Sequence, residues 1–377
     1  MKKIIKITEI FTVCIFVLIS VSPISFAESD GISDLIGEET ESELFDAVPD
    51  DVEELLDRLG VNGIDFDSLF SITPEKVWGI LKDMLTGQTE APLKSLVRLL
   101  AVIVILAVCE CFMPDDDRMK IITEMAGVLM CVVSIISPLS EVITSAVAAI
   151  AVSEKFILVL IPVLAAVVSV SGNPALALSF QSMAFYAAQV IAAASKNYIV
   201  PVVGTVLALD ITCSVMPSFK LSGLTGMIKK TITAVLSFAA TLFVSFLEIK
   251  GALAKATDTV TTKGIKLIIS SAVPVVGGAL SEAFSGVVGS LVLVKSALGI
   301  FGIVVIALIN LPFCFQLLFW IFALRLAAAV GEMLNQEYLA NLLKAVSSAM
   351  ILMNVVLVFN AVIFIISTAL VLSLRSI

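Results

Sequence analysis

The chain has 377 residues, 59% of them hydrophobic and 15% charged, with a mean hydropathy of +1.11. A soluble chain is about 45–50% apolar and about 25% charged, so this one needs lipid as part of its solvent. It has no histidine, which removes the commonest general base and metal ligand and with them Ser-His-Asp hydrolysis and zinc hydrolysis, while a formal net charge of −9 argues against nucleic acid as a partner.

The charge sits in blocks. Residues 1–27 carry +2, residues 28–90 carry −15 and residues 91–377 carry +4. The first block reads as a signal peptide. Lys2, Lys3 and Lys6 precede an apolar stretch from Phe11 to Val21, and Ser25-Phe26-Ala27 is a small-x-small site with cleavage expected after Ala27. The alternative is an uncleaved anchor helix. Residues 28–90 are expected outside the cytoplasm, because lysine and arginine gather on the cytoplasmic side. Residues 28–50 read as a loose acidic arm. A short helix is expected over Val52–Leu59 with Leu55, Leu56 and Leu59 on one face. A second helix starts at Thr73, a good N-cap, followed by Pro74 and Glu75. Its Val77, Trp78, Leu81 and Leu85 either lie on the membrane surface or pack on the first helix.

From residue 91 onward the chain is a multi-pass membrane domain of about 7–9 spans. A span takes about 20 apolar residues, and nine such runs stand near 97–113, 121–145, 156–172, 175–194, 199–217, 231–248, 286–309, 313–330 and 346–373. Polar breaks separate them, among them Ser153-Glu154-Lys155, Lys196-Asn197, Lys220 to Lys230 and Gly331 to Lys344. Short breaks imply antiparallel hairpins, and Pro138, Pro162, Pro201 and Pro312 imply kinks or helix boundaries. The expected fold class is therefore all-α: a polytopic membrane helical bundle with a small acidic extracytoplasmic N-terminal region. Within it, residues 250–295 combine an amphipathic lysine-rich stretch with small residues at Gly277, Gly278, Gly286 and Gly289. Glycine lets helices approach closely in lipid, so 267–283 reads either as a re-entrant segment or as a loop entering a packing helix.

Charged and amide side chains inside spans are the usual functional candidates in a membrane. Here they include Glu110, Asp210, Lys295, Arg325, Asn310, Asn354 and Asn360. Asp210 and Lys295 are the deepest charges, and Lys295 is expected to face Asp210, Glu282 or a watery path. The Glu282 pairing needs the chain to turn near Gly286–Gly289. No nucleotide, dinucleotide or nucleophile-elbow motif is present, so no catalytic, metal or cofactor site is expected. The five cysteines beyond Ala27 all fall in apolar runs, where a thiol is an ordinary core residue.

One segment goes further than composition. Residues 250–306 read KGALAKATDTVTTKGIKLIISSAVPVVGGALSEAFSGVVGSLVLVKSALGIFGIVVI. The order Lys-Gly-Ala-Leu-Ala, Thr-Lys-x-x-Lys, Pro-Val-Val-Gly-Gly-Ala-Leu-Ser-Glu-Ala and Val-Lys-Ser-Ala-Leu-Gly closely resembles the stage III sporulation protein AE family of endospore-forming bacteria. Lys155 to Gly172, with its Leu160-Ile161-Pro162-Val163-Leu164 core, is a second, weaker match, and the resemblance covers residues 28–377. It implies a mother-cell membrane protein of sporulation, lying in the membrane around the forespore. It implies partners of the same operon, among them a secretion-type ATPase and ring-forming proteins, and a partner in the forespore membrane. Together these build a secretion-like channel complex that supports forespore integrity and late forespore gene expression. The resemblance carries no catalytic residues. Lys250, Gly277, Gly278 and Lys295 fall in the matching segment. With Asp210 and Gly286 they are the candidate structural or pore residues. The alternative function is a stand-alone permease coupled to an ion gradient.

Overall fold

The computed structural model describes residues 38–64, 68–69, 71–112, 117–170, 182, 186, 189–215, 223–243, 245, 249 and 277–373. The described elements are all helical, with no strand among them. The signal-peptide reading and the Lys250–Lys266 stretch lie outside the described residues. Six helical stretches are long and apolar enough to cross a membrane: Pro74–Cys111, Ile121–Ser169, Gln189–Val215, Gly223–Phe243, Val294–Met333 and Glu337–Ala369. This is a multi-pass membrane protein.

Three short helices open the described chain: α1 (Glu38–Asp46), α2 (Asp50–Leu59) and α3 (Pro74–Gly87). The loose-arm expectation fails over α1. Leu44 and Val48 are buried, and the Phe45 ring meets Phe301 at 5.3 Å between centroids. Three well-spaced apolar side chains suffice to dock an otherwise acidic turn, because the acids face outward: Glu43 and Asp46 are exposed. Helix α2 buries Val52, Leu56 and Leu59. It ends as an αL cap requires. Gly60 sits at φ +87°, its N–H reaches the Asp57 carbonyl, and the Val61 N–H reaches Leu56. Val61 and Leu56 are both fully buried, the apolar contact that closes this motif. Thr73 stands at the N-cap of α3 as expected, although its side chain makes no capping hydrogen bond. Helix α3 packs on α2, where Arg58 pairs with Asp83 and the Lys76 ammonium donates to the Leu59 carbonyl at 3.0 Å. It turns Ile80 and Met84 inward and leaves Trp78 exposed.

The body follows as α4 (Glu90–Cys111), α5 (Asp117–Val170), a π turn (Ser195–Ile199) running into α6 (Val200–Val215), α7 (Gly223–Phe243), α8 (Gly277–Met333) and α9 (Glu337–Ser373). Two expected hairpins are absent. Helix α5 runs straight through Ser153-Glu154-Lys155, and α8 runs through Pro312. Each expected break was three polar residues or a single proline, and a packed helix carries these without ending. At 1.5 Å per residue both helices are about 80–85 Å long, well over twice the hydrocarbon thickness of about 30 Å. These two fusions turn four of the nine expected spans into two helices. Most of the 175–194 run lies outside the described residues. Lys229 and Lys230, expected in a loop, lie within α7.

Helices α8 and α9 form the central antiparallel pair. Their turn is set by Asn335 at φ +61°, with the Gln336 N–H bonded to Gly331 at 2.8 Å and the Asn335 N–H to Glu332 at 3.1 Å. Helix α5 packs on both, α6 packs on α9, and α4 packs on α5 and α8. From Ala345 to Ala369, α9 has no exposed residue. The outer helices behave in the opposite way. Large apolar side chains stand exposed along α4 (Leu93, Val97, Val104, Ile105, Val108) and α7 (Leu224, Met227, Val235, Phe238, Leu242). Apolar surface of that extent suits lipid. On α5 the exposed large apolar residues stop at Ile136. Beyond it the exposed positions are small, polar or charged: Ser137, Ser140, Glu141, Thr144 and Ala148 come first.

Helix approach in the core depends on Gly302. A Cβ there would stand 2.4 Å from the Leu160 side chain and 3.4 Å from that of Thr368, so α8 meets α5 and α9 closely at this point. Gly302→Leu should cost about 1–3 kcal/mol by overpacking. Gly204→Leu, on an exposed face of α6 with nothing near its Cβ, should stay within about 0.5 kcal/mol. Thermal unfolding of the two variants in detergent checks this, and equal midpoints would count against the packing described.

Candidate functional site

A polar side chain inside an apolar bundle must find a partner, because an unmade hydrogen bond there costs more than a made one gains. Six of the buried polar side chains, Ser153, Ser195, Asp210, Asn310, Ser347 and Asn360, answer that demand by taking part in two chains, while Ser214, Ser367 and Thr368 donate to carbonyls of their own helices. The first starts at Asn310 on α8, whose Nδ2 donates to Ser153 Oγ on α5 at 2.8 Å and to the Ile306 carbonyl at 2.8 Å. The neighbour of Ser153, Glu154, accepts from Lys196 Nζ at 2.5 Å. The neighbour of Lys196, Ser195, receives Asn360 Nδ2 from α9 at 2.9 Å and returns its hydroxyl to Asn360 Oδ1 at 3.3 Å. Ser153, Ser195, Asn310 and Asn360 are buried, while the Glu154 and Lys196 side chains keep 18% and 29% of their surface. The sequence Asn310, Ser153-Glu154, Lys196-Ser195, Asn360 thus runs as one line across α8, α5, the π turn and α9.

The second chain lies toward the α8–α9 turn. Asp210 on α6 accepts from Lys229 Nζ on α7 at 2.6 Å, and the same ammonium donates to Ser348 Oγ on α9 at 3.1 Å. The neighbour of Ser348, Ser347, accepts from Arg325 Nε on α8 at 3.2 Å. Counting residues along α6, α8 and α9 between the two chains gives about 18–22 Å at 1.5 Å per residue. Both lines therefore cross the same central pair, separated by mostly apolar side chains such as Leu317, Leu324, Met353 and Val356.

The polar accounting leaves a few atoms over. Asn310 Oδ1, Asn354 Oδ1, Trp320 Nε1 and both amide atoms of Gln336 are buried without a hydrogen-bond partner. Among the described residues no three His, Cys, Asp or Glu side chains converge as a metal group would need. Cys109, Cys111, Cys131, Cys213 and Cys314 are free thiols.

The sequence-derived candidates fare unevenly. Asp210 is buried and charge-paired, with Lys229. Lys295 is buried on α8, but 30 residues before Arg325, hence about 45 Å along the helix from the Asp210 chain. The Asp210–Lys295 pairing does not form. The turn at Gly286–Gly289 that Glu282 would need is also absent, because α8 is helical throughout. That geometry puts Glu282 about 20 Å from Lys295 along the axis. Gly277, Gly278 and Gly286 lie in the first turns of α8, so residues 277–283 are helical, while residues 267–276 lie outside the described residues. Lys250 lies outside the described residues. Sequence reasoning named Asn310, Asn360 and Arg325 as in-span polar groups. It read Ser153-Glu154-Lys155 and Lys196-Asn197 as breaks, and so missed that Glu154 and Lys196 face each other. One signal was available: neither break contains glycine or proline.

An antiparallel central hairpin sheathed by apolar helices and tied by internal polar chains defines a polytopic helical membrane protein. The stage III sporulation protein AE family model matches residues 66–374, and the chain belongs to that family. It is 25% identical over 213 residues to the Stage III sporulation protein AE of Bacillus subtilis (strain 168), a stretch covering 56% of this chain and 53% of the relative. The chain thus spans about half the length of that curated relative. No solved structure matches.

The Asp210–Lys229 pair gives a direct test. Removing one partner of a buried ion pair strands the other charge and costs about 3–5 kcal/mol, whereas replacing both with apolar residues of similar size is often neutral or better. Lys229→Met alone should therefore lower the unfolding midpoint sharply, and Asp210→Leu/Lys229→Met should recover most of the loss. A double variant as unstable as the single one would show that the pair is not what holds α6 and α7 to α9.

Proposed function

We propose that this protein is a non-enzymatic membrane component of a multiprotein, secretion-like sporulation channel linking mother cell and forespore, needed for forespore development and late forespore gene expression. The observation that carries this reading is the family match across residues 66–374, which takes in every helix of the membrane body. The physical features agree with it. The long elements of the bundle are all helices among its described residues, and Asn310, Ser153, Ser195, Asn360, Asp210 and Ser347 each bond to a side chain of another element. The chain has no nucleotide-binding motif in its sequence. Energy for transport would come from a partner, for which a secretion-type ATPase of the same operon is the natural class. Ring-forming proteins and a forespore membrane protein complete the proposed assembly. The location that follows is the mother-cell membrane around the forespore, with residues 28–90 outside the cytoplasm.

The second reading, a permease driven by an ion gradient, is favoured by one observation. Polar side chains and a π turn inside an apolar bundle are also how transporters build an ion site. One pair of measurements separates the two. The tagged protein, recovered from membranes of sporulating cells, should bring down a secretion-type ATPase and ring-forming proteins. The purified chain alone in liposomes should show no solute uptake driven by a sodium or proton gradient. Recovery of the chain without such partners, together with gradient-driven uptake, would overturn the channel reading.

A further inference from the structure

We propose that Arg325, near the turn end of α8, holds the phosphate of an anionic phospholipid. The argument begins with an unbalanced charge. Among the described residues Arg58, Lys94, Lys196, Lys229 and Lys344 each pair with a carboxylate, and Arg325 does not. Its described hydrogen bond runs from Nε to Ser347 Oγ at 3.2 Å. Serine is neutral, so this bond orients the guanidinium without cancelling its charge. The nearby cation of the same polar chain, Lys229, is already balanced by Asp210 at 2.6 Å. One positive charge is therefore left over within an apolar helix, where a charge without a counter-ion is costly.

The surroundings say what the counter-ion is. Phe322, Leu326 and Met333 share one side of α8 at helical spacing and are 65%, 41% and 85% exposed. Apolar side chains so exposed on a membrane helix suit lipid. Arg325 is half-buried at the edge of that stripe. With Nε used on Ser347, its two terminal nitrogens remain as a donor fork, and neither bonds to a described residue. Depth agrees. Arg325 stands seven residues, about 10 Å along the axis, before Glu332, whose ion pair with Lys344 is half exposed at the α8–α9 turn. A headgroup layer is about 5–8 Å thick, so Arg325 sits just beneath one. The anion that a bilayer offers at that depth is a headgroup phosphodiester, and an arginine fork takes phosphate oxygens two at a time. An anionic lipid is favoured over a zwitterionic one, because the latter brings its own cation beside the phosphate.

This inference goes beyond the channel reading and stands or falls separately from it, since a lipid can bind the chain whether or not partners assemble. The test uses the full chain purified in detergent and placed in nanodiscs of phosphatidylcholine, with or without phosphatidylglycerol. Phosphatidylglycerol should raise the unfolding midpoint by about 2 °C, as a ligand of the folded state does. Arg325→Met should lose that rise, and Arg325→Lys should keep part of it, having the charge without the fork. Lys344→Met, which removes a cation at the exposed turn, should keep it whole. Equal midpoints for the wild type in both lipids overturn the proposal, and so does a rise that survives in Arg325→Met. A rise given equally by inorganic phosphate in phosphatidylcholine overturns the lipid assignment. If Arg325→Met does not accumulate, native mass spectrometry of the wild type and Arg325→Lys decides. The wild type should retain phosphatidylglycerol over phosphatidylcholine, and Arg325→Lys should do so less. No preference in the wild type, or one undiminished in Arg325→Lys, overturns the site.

Discussion

A helix packed among others in an apolar bundle has little solvent to satisfy its side chains, and α9 is such a helix from Ala345 to Ala369, with no exposed residue and only a half-buried stripe through Ile351, Val355, Phe359 and Val362. Ser367 and Thr368 donate to α9's own Ile363 and Phe364 carbonyls, and three other polar groups find partners on neighbouring elements. Asn360 is met by Ser195, Ser348 by Lys229 and Ser347 by Arg325. Those three contacts set the height of the π turn, α7 and α8 against α9, because a shift of one residue would strand a buried donor or acceptor. Apolar packing in lipid is a weak guide to register, since tails and leucines are alike. The polar chains supply the register that packing does not.

Close packing then works within the frame so set. Gly302 lets α8 approach Leu160 on α5 and Thr368 on α9. Phe301 reaches outward from the same place to Phe156 on α5 and Phe45 on α1. The acidic N-terminal helices are therefore anchored to the membrane body through the central hairpin. The exposed carboxylates of α1 and α2 are thus carried on helices docked to the body and not on a free tail.

The all-α class, the membrane setting and the family were legible in the sequence, since they rest on composition, apolar run length and one ordered stretch of residues. The limits of the helices were less so. Glu154 and Lys196 look like loop residues when each apolar run is read alone, because a charge inside a helix is expensive. Only the folded chain shows that the two charges cancel. Asp210 was rightly singled out as deep, but its partner could not be read from sequence. Lys229 sits 19 residues away on the next helix, whereas the more apolar surroundings of Lys295 drew attention. The loose-arm reading of residues 38–48 failed for the opposite reason. Acidic composition outweighed three apolar residues, Leu44, Phe45 and Val48, whose spacing is enough to dock a short helix.

The central claim is that Ser195 and Asn360 meet inside the bundle, joining the π turn to α9. Paired cysteines test it most directly. In a cysteine-free background, Ser195→Cys and Asn360→Cys should cross-link within one chain in native membranes under mild oxidant. The same experiment with Ser195→Cys and Ser348→Cys, about 18 Å further along α9, should give no bond. Cross-linking of the second pair, or none of the first, would contradict the account.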